Sequence, residues 1–334
     1  MPVQDLAGRL SAVMQRAMGA SGGVEALAPI TGGATKQTFA FDARIGAHQR
    51  RFILQLSGAS GDKAAAYTPK LSAQQDAGLM QAAAARGVLV PEVCVVLQPG
   101  DGMGSGYITA RIAGEALGRR IVHDPQFAQA RQVLAAQFAA NLARIHQMDP
   151  DEHQDLVAFG AKEQITSYAG IVEHYGVVSP ALEYALAWSR EHAPARARMA
   201  VVHADFRMGN VLVDEAGLTG VLDWEAAHRG DPMQDLGYLC VRTWRFGGAH
   251  PVGGVGERDQ LFEAYEAEGG GPVDRAAVHF WEAWGNIKWA IIAMRKGLRY
   301  RDGVEPVSLE QCAIGRRMEE PLWDFFQLID GEKS

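Results

Sequence analysis

The pattern of apolar residues changes once along the chain, near residue 114. Before this point, alternating and β-branched runs separated by glycine turns predict strands. Five are predicted, the first from residue 26 and the others over residues 37–41, 51–56, 92–97 and 107–112. Beyond it, apolar residues recur mostly at helical spacing. The sequence therefore predicts an α+β protein of two lobes, residues 1–114 with a five-stranded antiparallel sheet plus helix and residues 115–334 mainly helical.

Two helices complete the predicted N-terminal lobe. Leu6, Leu10, Val13 and Met14 lie at helical spacing, and this stretch has no continuous apolar core of the kind found in a signal peptide. A second helix over residues 71–86 ends at a glycine with a proline beyond it, which are ordinary stop signals. A chain of 334 residues is also long enough to form two domains.

Charge and cysteine usage exclude several classes of protein. With 32 Lys+Arg against 39 Asp+Glu, the net charge of -7 gives no electrostatic footprint for nucleic acid. Cys94, Cys240 and Cys312 are far apart and lack metal-binding spacing, which favours a reducing compartment. Since no apolar run reaches the ~18 residues of a membrane span, we expect a cytoplasmic protein that inserts in no membrane.

A polar cluster interrupts the helical half. His203, Asp205 and Asn210 lie on a loop between short apolar runs, and Asp223 closes the next predicted strand. One carboxylate suits proton acceptance from a hydroxyl, whereas an amide oxygen and a second carboxylate suit Mg²⁺. An Asp, an Asn five residues later and an Asp after a later strand follow the order of a kinase catalytic loop and metal loop. The sequence predicts phosphoryl transfer here.

The alternative is that these Asp and Asn residues only cap turns, which is the commoner role of any one of them alone. The combination favours chemistry. Asp231 and Asp235 are interpreted differently, because Asp231 followed by proline is typical of a helix N-cap, with Asp235 in the first turn. We assign both to structure.

The motif HADFRMGN at 203–210, followed by GVLDWEAAHRGDPMQDL at 220–236, resembles the aminoglycoside phosphotransferase family. The resemblance implies a protein-kinase-like fold. It also implies that Asp205 is the catalytic base, that Asn210 and Asp223 bind magnesium, and that His203 braces the loop. Ala204 departs from the glycine common in the family; we expect its methyl group to be tolerated and to restrict the loop.

The segment ITGGATKQTFAF at 30–41 resembles the turn that covers the nucleotide in this family. By that resemblance, the amides of Gly32 and Gly33 approach the phosphates, and Thr35 or Lys36 adds donors. A plain hairpin turn is the alternative.

The inter-lobe hinge is similarly assigned by resemblance, with the adenine meeting the backbone of Ala110, Arg111 and Ile112. Three later segments, DLGYLCVRTWRFGG, FWEAWGNIKWAIIAMRKG and IGRRMEEPLWDFF, resemble a bacterial branch of the family whose members often lack a known substrate. The resemblance thus covers nearly the whole chain.

The phosphate-binding strand departs from the family. Gln55 stands where members carry a Lys or Arg, and Asp76 stands where its partner Glu is expected. Either another cation, such as Lys36, Arg51 or Lys63, reaches the phosphates, or the protein is a kinase-like binding module without turnover. The first is favoured, because Mg²⁺ neutralises phosphate charge and its predicted ligands are present.

The late helical region suggests the acceptor. Its cations favour an anionic hydroxyl compound, such as a hydroxy acid or a hydroxyacyl-CoA, over the polycations bound by antibiotic-modifying members. They are Arg242, Arg245, Lys288, Arg295, Lys296, Arg299 and Arg301. A solvated helix face is the alternative. Trp281 and Trp284 share one helical face with Lys288, and together with Trp289 they line either an acceptor pocket or the core.

The predicted function is transfer of the γ-phosphoryl group of ATP or GTP, with Mg²⁺, to a small-molecule hydroxyl. The alternatives are a non-catalytic nucleotide- or metabolite-binding protein, an aminoglycoside phosphotransferase and, last, a metal-dependent hydrolase that uses Asp205 and Asp223 without nucleotide. The hydrolase leaves the glycine turn of the N-terminal sheet without a role.

Overall fold

The computed structural model describes residues 3–30, 36–58, 63–195, 197–304 and 309–331, with side chains from residue 5 onward. Gly32, Gly33 and Thr35 of the predicted nucleotide-covering turn lie outside the described residues.

The predicted five-stranded antiparallel sheet is present in the N-terminal part. Its strand order is β1-β2-β3-β5-β4. The strands are β1 (Ala20–Ile30), β2 (Lys36–Ile45), β3 (His48–Ser57), β4 (Val93–Val96) and β5 (Gly106–Ala110). Strands β2 and β3 pair without a register shift over their whole length. A two-residue turn at Gly46, whose φ is 60°, joins them, as expected for a tight hairpin.

One face of this sheet is covered by helix α1 (Val3–Met18). The apolar residues predicted for its inner face, Leu6, Leu10, Val13 and Met14, are all buried. They pack with Phe52 and other side chains from alternate positions of the strands. The helix prediction at the N-terminus is therefore confirmed, and its role is to close the small core of the sheet.

Helix α2 (Ala73–Ala85) packs near the opposite face, against β4 and β5. Ser72 caps it through a reciprocal pair of hydrogen bonds with Gln75, the capping-box arrangement. The cap fixes where the helix begins, and Asp76 then falls in the first turn, buried and directed at the sheet.

The rest of the chain is mainly helical, as predicted. Its helices are α3 (Gly118–His123), α4 (Ala128–His146), α5 (Ala161–Tyr175), α6 (Pro180–His192), α7 (Met233–Cys240), α8 (Arg258–Ala267), α9 (Arg275–Leu298), α10 (Leu309–Gly315) and α11 (Glu319–Asp330). The long helix α9 lies at the centre, since α5, α6, α7, α10 and α11 all pack against it. Trp281 and Trp284 of α9 are fully buried there.

Two small antiparallel sheets carry the polar loops. They pair β6 (Ala200–Val202) with β9 (His228–Gly230) and β7 (Val211–Val213) with β8 (Leu218–Val221). Three of these strands were predicted, whereas β9 is too short and too polar to show a strand pattern. The α+β class is therefore confirmed. Around the proposed division at residue 114, Glu115 already pairs with Val213 through two backbone hydrogen bonds.

Within the residues that the structure describes, no helix combines the length and apolar character needed to cross a bilayer.

Candidate active site

The loop between β6 and β7 brings Asp205 and Asn210 into direct contact. The Asn210 side-chain amide donates to the Asp205 carboxylate Oδ2 at 2.5 Å and to the Asp205 backbone carbonyl at 3.0 Å. This holds the Asp205 carboxylate in one orientation, and it turns the Asn210 amide oxygen away from Asp205. The two predicted residues therefore form one unit.

A buried carboxylate beneath the loop fixes its position. Asp235, which is 0% exposed, accepts hydrogen bonds from the backbone N–H groups of His203 at 2.8 Å and Ala204 at 2.7 Å. His146 Nε2 lies 3.0 Å from the same carboxylate. Burial alone would raise the pKa of Asp235, but the hydrogen bond and charge of His146 hold it below its usual value. Its structural role is thus specific: it anchors the loop that carries Asp205.

Asp231 is also structural. Its Oδ1 accepts from the backbone N–H of Met233, at the start of α7, and its Oδ2 accepts from the Trp281 indole at 2.8 Å. The helix begins one residue later than predicted, with Pro232 at its N-cap position.

Ala204 is held in a strained conformation. Its φ is 64°, in the left-handed region that glycine adopts without cost. Its N–H donates to Asp235, and its carbonyl accepts from the buried Lys288 Nζ at 2.9 Å. The departure from glycine is therefore tolerated because hydrogen bonds on both sides of the residue hold the backbone. Lys288 lies in the core beneath the loop, so it binds protein and not acceptor.

His203 connects this loop to the next. Its ring accepts from the Asp205 backbone N–H at Nδ1, 3.3 Å away, and donates from Nε2 to the Leu222 carbonyl at 3.0 Å. Burial lowers the pKa of His203, which favours the neutral ring that this pair of bonds requires. The geometry fits the predicted bracing role.

Asp223 follows β8 directly and has a left-handed φ of 62°. The Leu222 N–H donates to the Asn210 carbonyl at 2.8 Å, so the metal loop and the catalytic loop lie side by side. Burial comes first in raising the pKa of Asp223 to about 6, and nearby negative charge adds to it. The charge comes from Glu225, Asp205 and Asp76, against which Lys36 acts. Several carboxylates thus converge where a cation is predicted.

The N-terminal lobe supplies a cation from an unexpected strand. Lys36, the first residue of β2, places its Nζ 2.6 Å from Asp76 Oδ2 and 3.5 Å from Asp223. Its side chain is 14% exposed. Burial would lower the pKa of Lys36, but Asp76, Asp223 and Glu225 together raise it, so it stays charged. The Tyr107 hydroxyl donates to the same Asp76 oxygen at 2.9 Å.

Gln55 lies beside this ion pair. In the β2–β3 register Thr38 is opposite Gln55, so Lys36, two residues from Thr38, faces the same side of the sheet. The lysine–acid pair therefore exists in this chain, with its lysine on β2 instead of β3. The other cations weighed from the sequence, Arg51 and Lys63, are exposed.

The predicted hinge begins where β5 ends. The Ala110 N–H donates to Glu92 and the Arg111 N–H donates to Arg51, both at 2.9 Å. These two amides are therefore occupied by the sheet, which leaves Ile112 as the candidate main-chain N–H donor to a base.

Two residues that the sequence did not single out also touch Asp205. Arg207 Nε lies 3.1 Å from Asp205 Oδ1, with its guanidinium 4.3 Å from the Trp244 ring centre. The Tyr238 hydroxyl also hydrogen-bonds Asp205, and burial first, then this carboxylate, raises the Tyr238 pKa well above its usual value. The only sequence signal for Arg207 is its place inside the catalytic-loop motif; Tyr238 has none, because the packing of α7 on the loop is a tertiary feature.

Trp281 and Trp284 of α9 are core residues. The Trp284 indole donates to Gln164 at 3.0 Å and the Trp281 indole to Asp231. The core interpretation of these residues is therefore supported, and the pocket interpretation is not.

The chain matches the family described as phosphotransferase enzyme family over residues 26–281, which is more than half its length, so the protein belongs to that family. The matched range contains residues 203–210 and 220–236 and both Lys36 and Asp76. The protein is therefore a phosphotransferase by family, and the predicted family is confirmed.

Solved structures show the same fold. A choline kinase from Cryptosporidium parvum superposes with a TM-score of 0.65 at 11% identity, over 99% of this chain and 96% of that one. A spectinomycin phosphotransferase, solved with ADP and spectinomycin, gives 0.61 at 16% identity, over 96% and 98%. At these identities the likeness establishes the protein-kinase-like, two-lobed fold.

Among curated proteins, the acyl-CoA dehydrogenase family member 10 of Mus musculus is 39% identical over 64 residues. This match takes in 19% of the present chain and 6% of the mouse protein.

We predict that Asp235→Ala destabilises the protein by about 3 to 5 kcal/mol, since it leaves His146 and two loop N–H groups buried without their acceptor. Urea unfolding at pH 7 measures this. Because the folded pKa of Asp235 lies below its unfolded value of about 4, its contribution is present above that pH and is lost as pH falls through the folded pKa. The difference in unfolding free energy between Asp235→Ala and wild type should therefore become smaller at acid pH.

The control is Glu215→Ala, at an exposed residue, which should change stability by less than about 0.5 kcal/mol. An equal effect of both variants contradicts the anchoring role.

We predict that Ala204→Gly stabilises the protein. Relief of about 1 to 2 kcal/mol of left-handed strain exceeds the roughly 0.5 to 1 kcal/mol that glycine loses in chain entropy. A rise in the free energy of unfolding is the expected result. Ala136→Gly, at an exposed position within α4, should instead lower it by about 1 kcal/mol. If both variants lose stability alike, the backbone at Ala204 is not strained.

Proposed function

We propose that this phosphotransferase moves the γ-phosphoryl group of ATP to a hydroxyl group of a small-molecule acceptor. One observation carries the proposal: the hydrogen-bonded Asp205–Asn210 unit and Asp223 lie on adjacent loops, and Lys36 connects Asp223 to Asp76 of the N-terminal lobe. The ADP bound in the spectinomycin phosphotransferase structure supports an adenine nucleotide, and GTP remains the alternative. We place the protein in the cytoplasm, in keeping with its three unpaired cysteines.

Asp205 acts as the acceptor of the hydroxyl proton, or orients that hydroxyl, in this proposal. Asn210 and Arg207 hold its carboxylate from two sides, so little reorganisation is needed when the acceptor binds. Phosphoryl transfer demands mainly positioning and charge stabilisation, and a fixed carboxylate meets the first demand.

The donor set fits a magnesium ion. No three His, Cys, Asp or Glu side chains form a metal cage in the part of the chain that the structure describes. Mg²⁺ commonly takes one or two protein oxygens and completes its shell with phosphates and water. The Asn210 amide oxygen and the Asp223 carboxylate would hold it, and when bound it would neutralise charge on the phosphates. The convergence of Glu225, Asp205 and Asp76 on Asp223, whose negative charge adds to burial in raising the Asp223 pKa, is the observation that favours a cation here.

Lys36 is proposed to contact the nucleotide phosphates. Its ion pair with Asp76 fixes the ammonium group at the cleft, and its distance of 3.5 Å to Asp223 places it beside the proposed metal ligand. In this arrangement residues 1–114 bind the nucleotide, with Ile112 at the base, and residues 115–334 supply the catalytic residues and the acceptor site.

The proposed acceptor is a small anionic hydroxyl compound, of which a hydroxy acid or a hydroxyacyl-CoA is an example. An aminoglycoside is the alternative suggested by neighbours such as the spectinomycin phosphotransferase. A binding protein without turnover is the second candidate function, favoured by the neutral Gln55, but the Lys36–Asp76 pair removes its main support.

The direct test is nucleotide binding and turnover. We expect calorimetry to show ATP binding that depends on Mg²⁺ and is lost in Asp223→Ala, because that variant lacks a proposed metal ligand. Asp205→Asn should keep nucleotide affinity, yet lower the rate of phosphate transfer by about 10²- to 10⁴-fold, the usual contribution of a general base.

Each outcome separates the candidates. The non-catalytic binding protein is indicated if nucleotide binds, with the same affinity in Asp205→Asn, and no phosphate is transferred to a panel of hydroxyl compounds. Absence of ATP and GTP binding at millimolar concentration contradicts the kinase proposal. Phosphate release without nucleotide revives the hydrolase.

The role of Lys36 is tested by moving the charge. Lys36→Gln should weaken ATP binding by about 10- to 100-fold, the value of a hydrogen bond to a charged group. Adding Gln55→Lys to this variant should recover much of the affinity, since residue 55 faces the same side of the sheet. Calorimetric dissociation constants for both variants measure the effect.

Lys162→Gln is the matched control, because Lys162 is exposed on α5, and it should bind ATP as the wild type does. If Lys36→Gln binds ATP with unchanged affinity, the proposed phosphate contact is wrong.

A further inference from the structure

The cations of the late helical region fall into two groups. Several are already paired: Arg245 and Arg258 both bind Glu282, and Arg242 lies 3.6 Å from Asp324. Glu282 and Asp324 offset part of this positive charge within the protein, so less of it is available to an anionic ligand. The sequence cluster therefore overstates the positive charge available to an acceptor.

Lys296 differs from these residues. It lies in the last turn of α9, partly buried, with its Nζ 5.3 Å from the centre of the Trp289 ring. Among the described residues, no carboxylate comes within 4.0 Å of this ammonium group. Burial first, then the positive charges of Arg207 and Arg299, lower the pKa of Lys296, although the negative charges of Asp205 and Glu310 act in the opposite direction.

The neighbours of Lys296 lead back to the catalytic residue. Arg207, which lies close enough to repel Lys296, is bound to Asp205 Oδ1. Arg299 is the second repelling cation, and its Nε is buried without a hydrogen-bond partner in the described part of the chain. The two tryptophans Trp244 and Trp289 contact each other, ring centres 5.0 Å apart, beneath Arg207 and Lys296.

Three cations partly removed from water share two nearby carboxylates, Asp205, which is bound to Arg207, and Glu310, so positive charge remains in excess among groups that repel one another and lose solvation. An oxyanion placed among them would offset both the repulsion and the lost solvation. Its hydrogen bonds to these cations would be charge-assisted, and such bonds are stronger than those between neutral groups. The alternative explanation is that the aliphatic part of Lys296 packs on Trp289 while its ammonium group reaches water. That explanation accounts for Lys296 alone and leaves the buried Arg299 Nε without a partner.

We propose that Lys296, Arg207 and Arg299 form an oxyanion subsite for the acceptor, which binds a carboxylate or phosphate group of that molecule. The inference rests on the proposed function, and it places the anionic group on the Asp205 side of the cleft. The acceptor is then a molecule whose hydroxyl lies at Asp205 while its anionic group contacts Lys296, with the Trp244–Trp289 pair as an apolar wall for the carbon frame between them.

The test uses the full chain with MgADP at saturating concentration, so that the nucleotide site is filled. Inorganic phosphate and, separately, succinate are titrated by calorimetry, which distinguishes the two kinds of oxyanion. We expect wild type to bind at least one of them in the millimolar range. Lys296→Gln should weaken that binding by about tenfold or more, whereas Lys296→Arg should keep most of it. Arg242→Gln, at a 67% exposed cation paired outside the subsite, is the matched control and should bind like wild type.

Three results would overturn the subsite. They are no oxyanion binding by wild type, equal binding by Lys296→Gln, and binding that occurs only without MgADP and is therefore located at the nucleotide phosphates. Failure of the proposed function looks different, since MgADP itself would not bind; the same titration without nucleotide then still tests the subsite. Unfolding curves of the Lys296 variants that match wild type show that a loss of binding is not a loss of fold.

Discussion

The hydrogen bonds from two consecutive backbone N–H groups to the buried Asp235 carboxylate hold the loops that carry Asp205, Asn210 and Asp223. They fix His203 and Ala204, and through them the Asp205–Asn210 unit and, by way of the Leu222 carbonyl, the metal loop. A buried carboxylate is costly unless it is paired, and His146 provides that pairing. The geometry of both loops therefore depends on one carboxylate that is fully buried in the core of the helical lobe.

This anchoring explains how a strained residue persists beside the proposed catalytic base. Ala204 adopts a glycine-like backbone because Asp235 and Lys288 bind its N–H and carbonyl from opposite sides. The strain of a left-handed alanine, about 1 to 2 kcal/mol, is smaller than the cost of leaving those buried groups unpaired. The core thus dictates the loop conformation, and the local sequence preference yields to it.

The sequence was sufficient for the sheet, the amphipathic α1 and the order of Asp205, Asn210 and Asp223, since periodicity and motif spacing are local signals. It left open which of three cations is the candidate for phosphate binding. That choice depends on strand register, which brings Lys36 to the side of the sheet occupied by Gln55 and Asp76. Tyr238 and the pairing of the late cations were likewise hidden, because helix packing decides which side chains meet.

The position of Lys36 has a consequence for how kinase-like chains are sorted. A comparison that looks for a basic residue only on β3 finds Gln55 here. It would group this chain with those that lack the lysine–acid pair. The pair is nevertheless present, with its basic member transferred to the neighbouring strand. A basic residue that faces the cleft can thus lie on a different strand from the one that an alignment compares, so a neutral residue at one aligned position does not by itself show that the positive charge is missing.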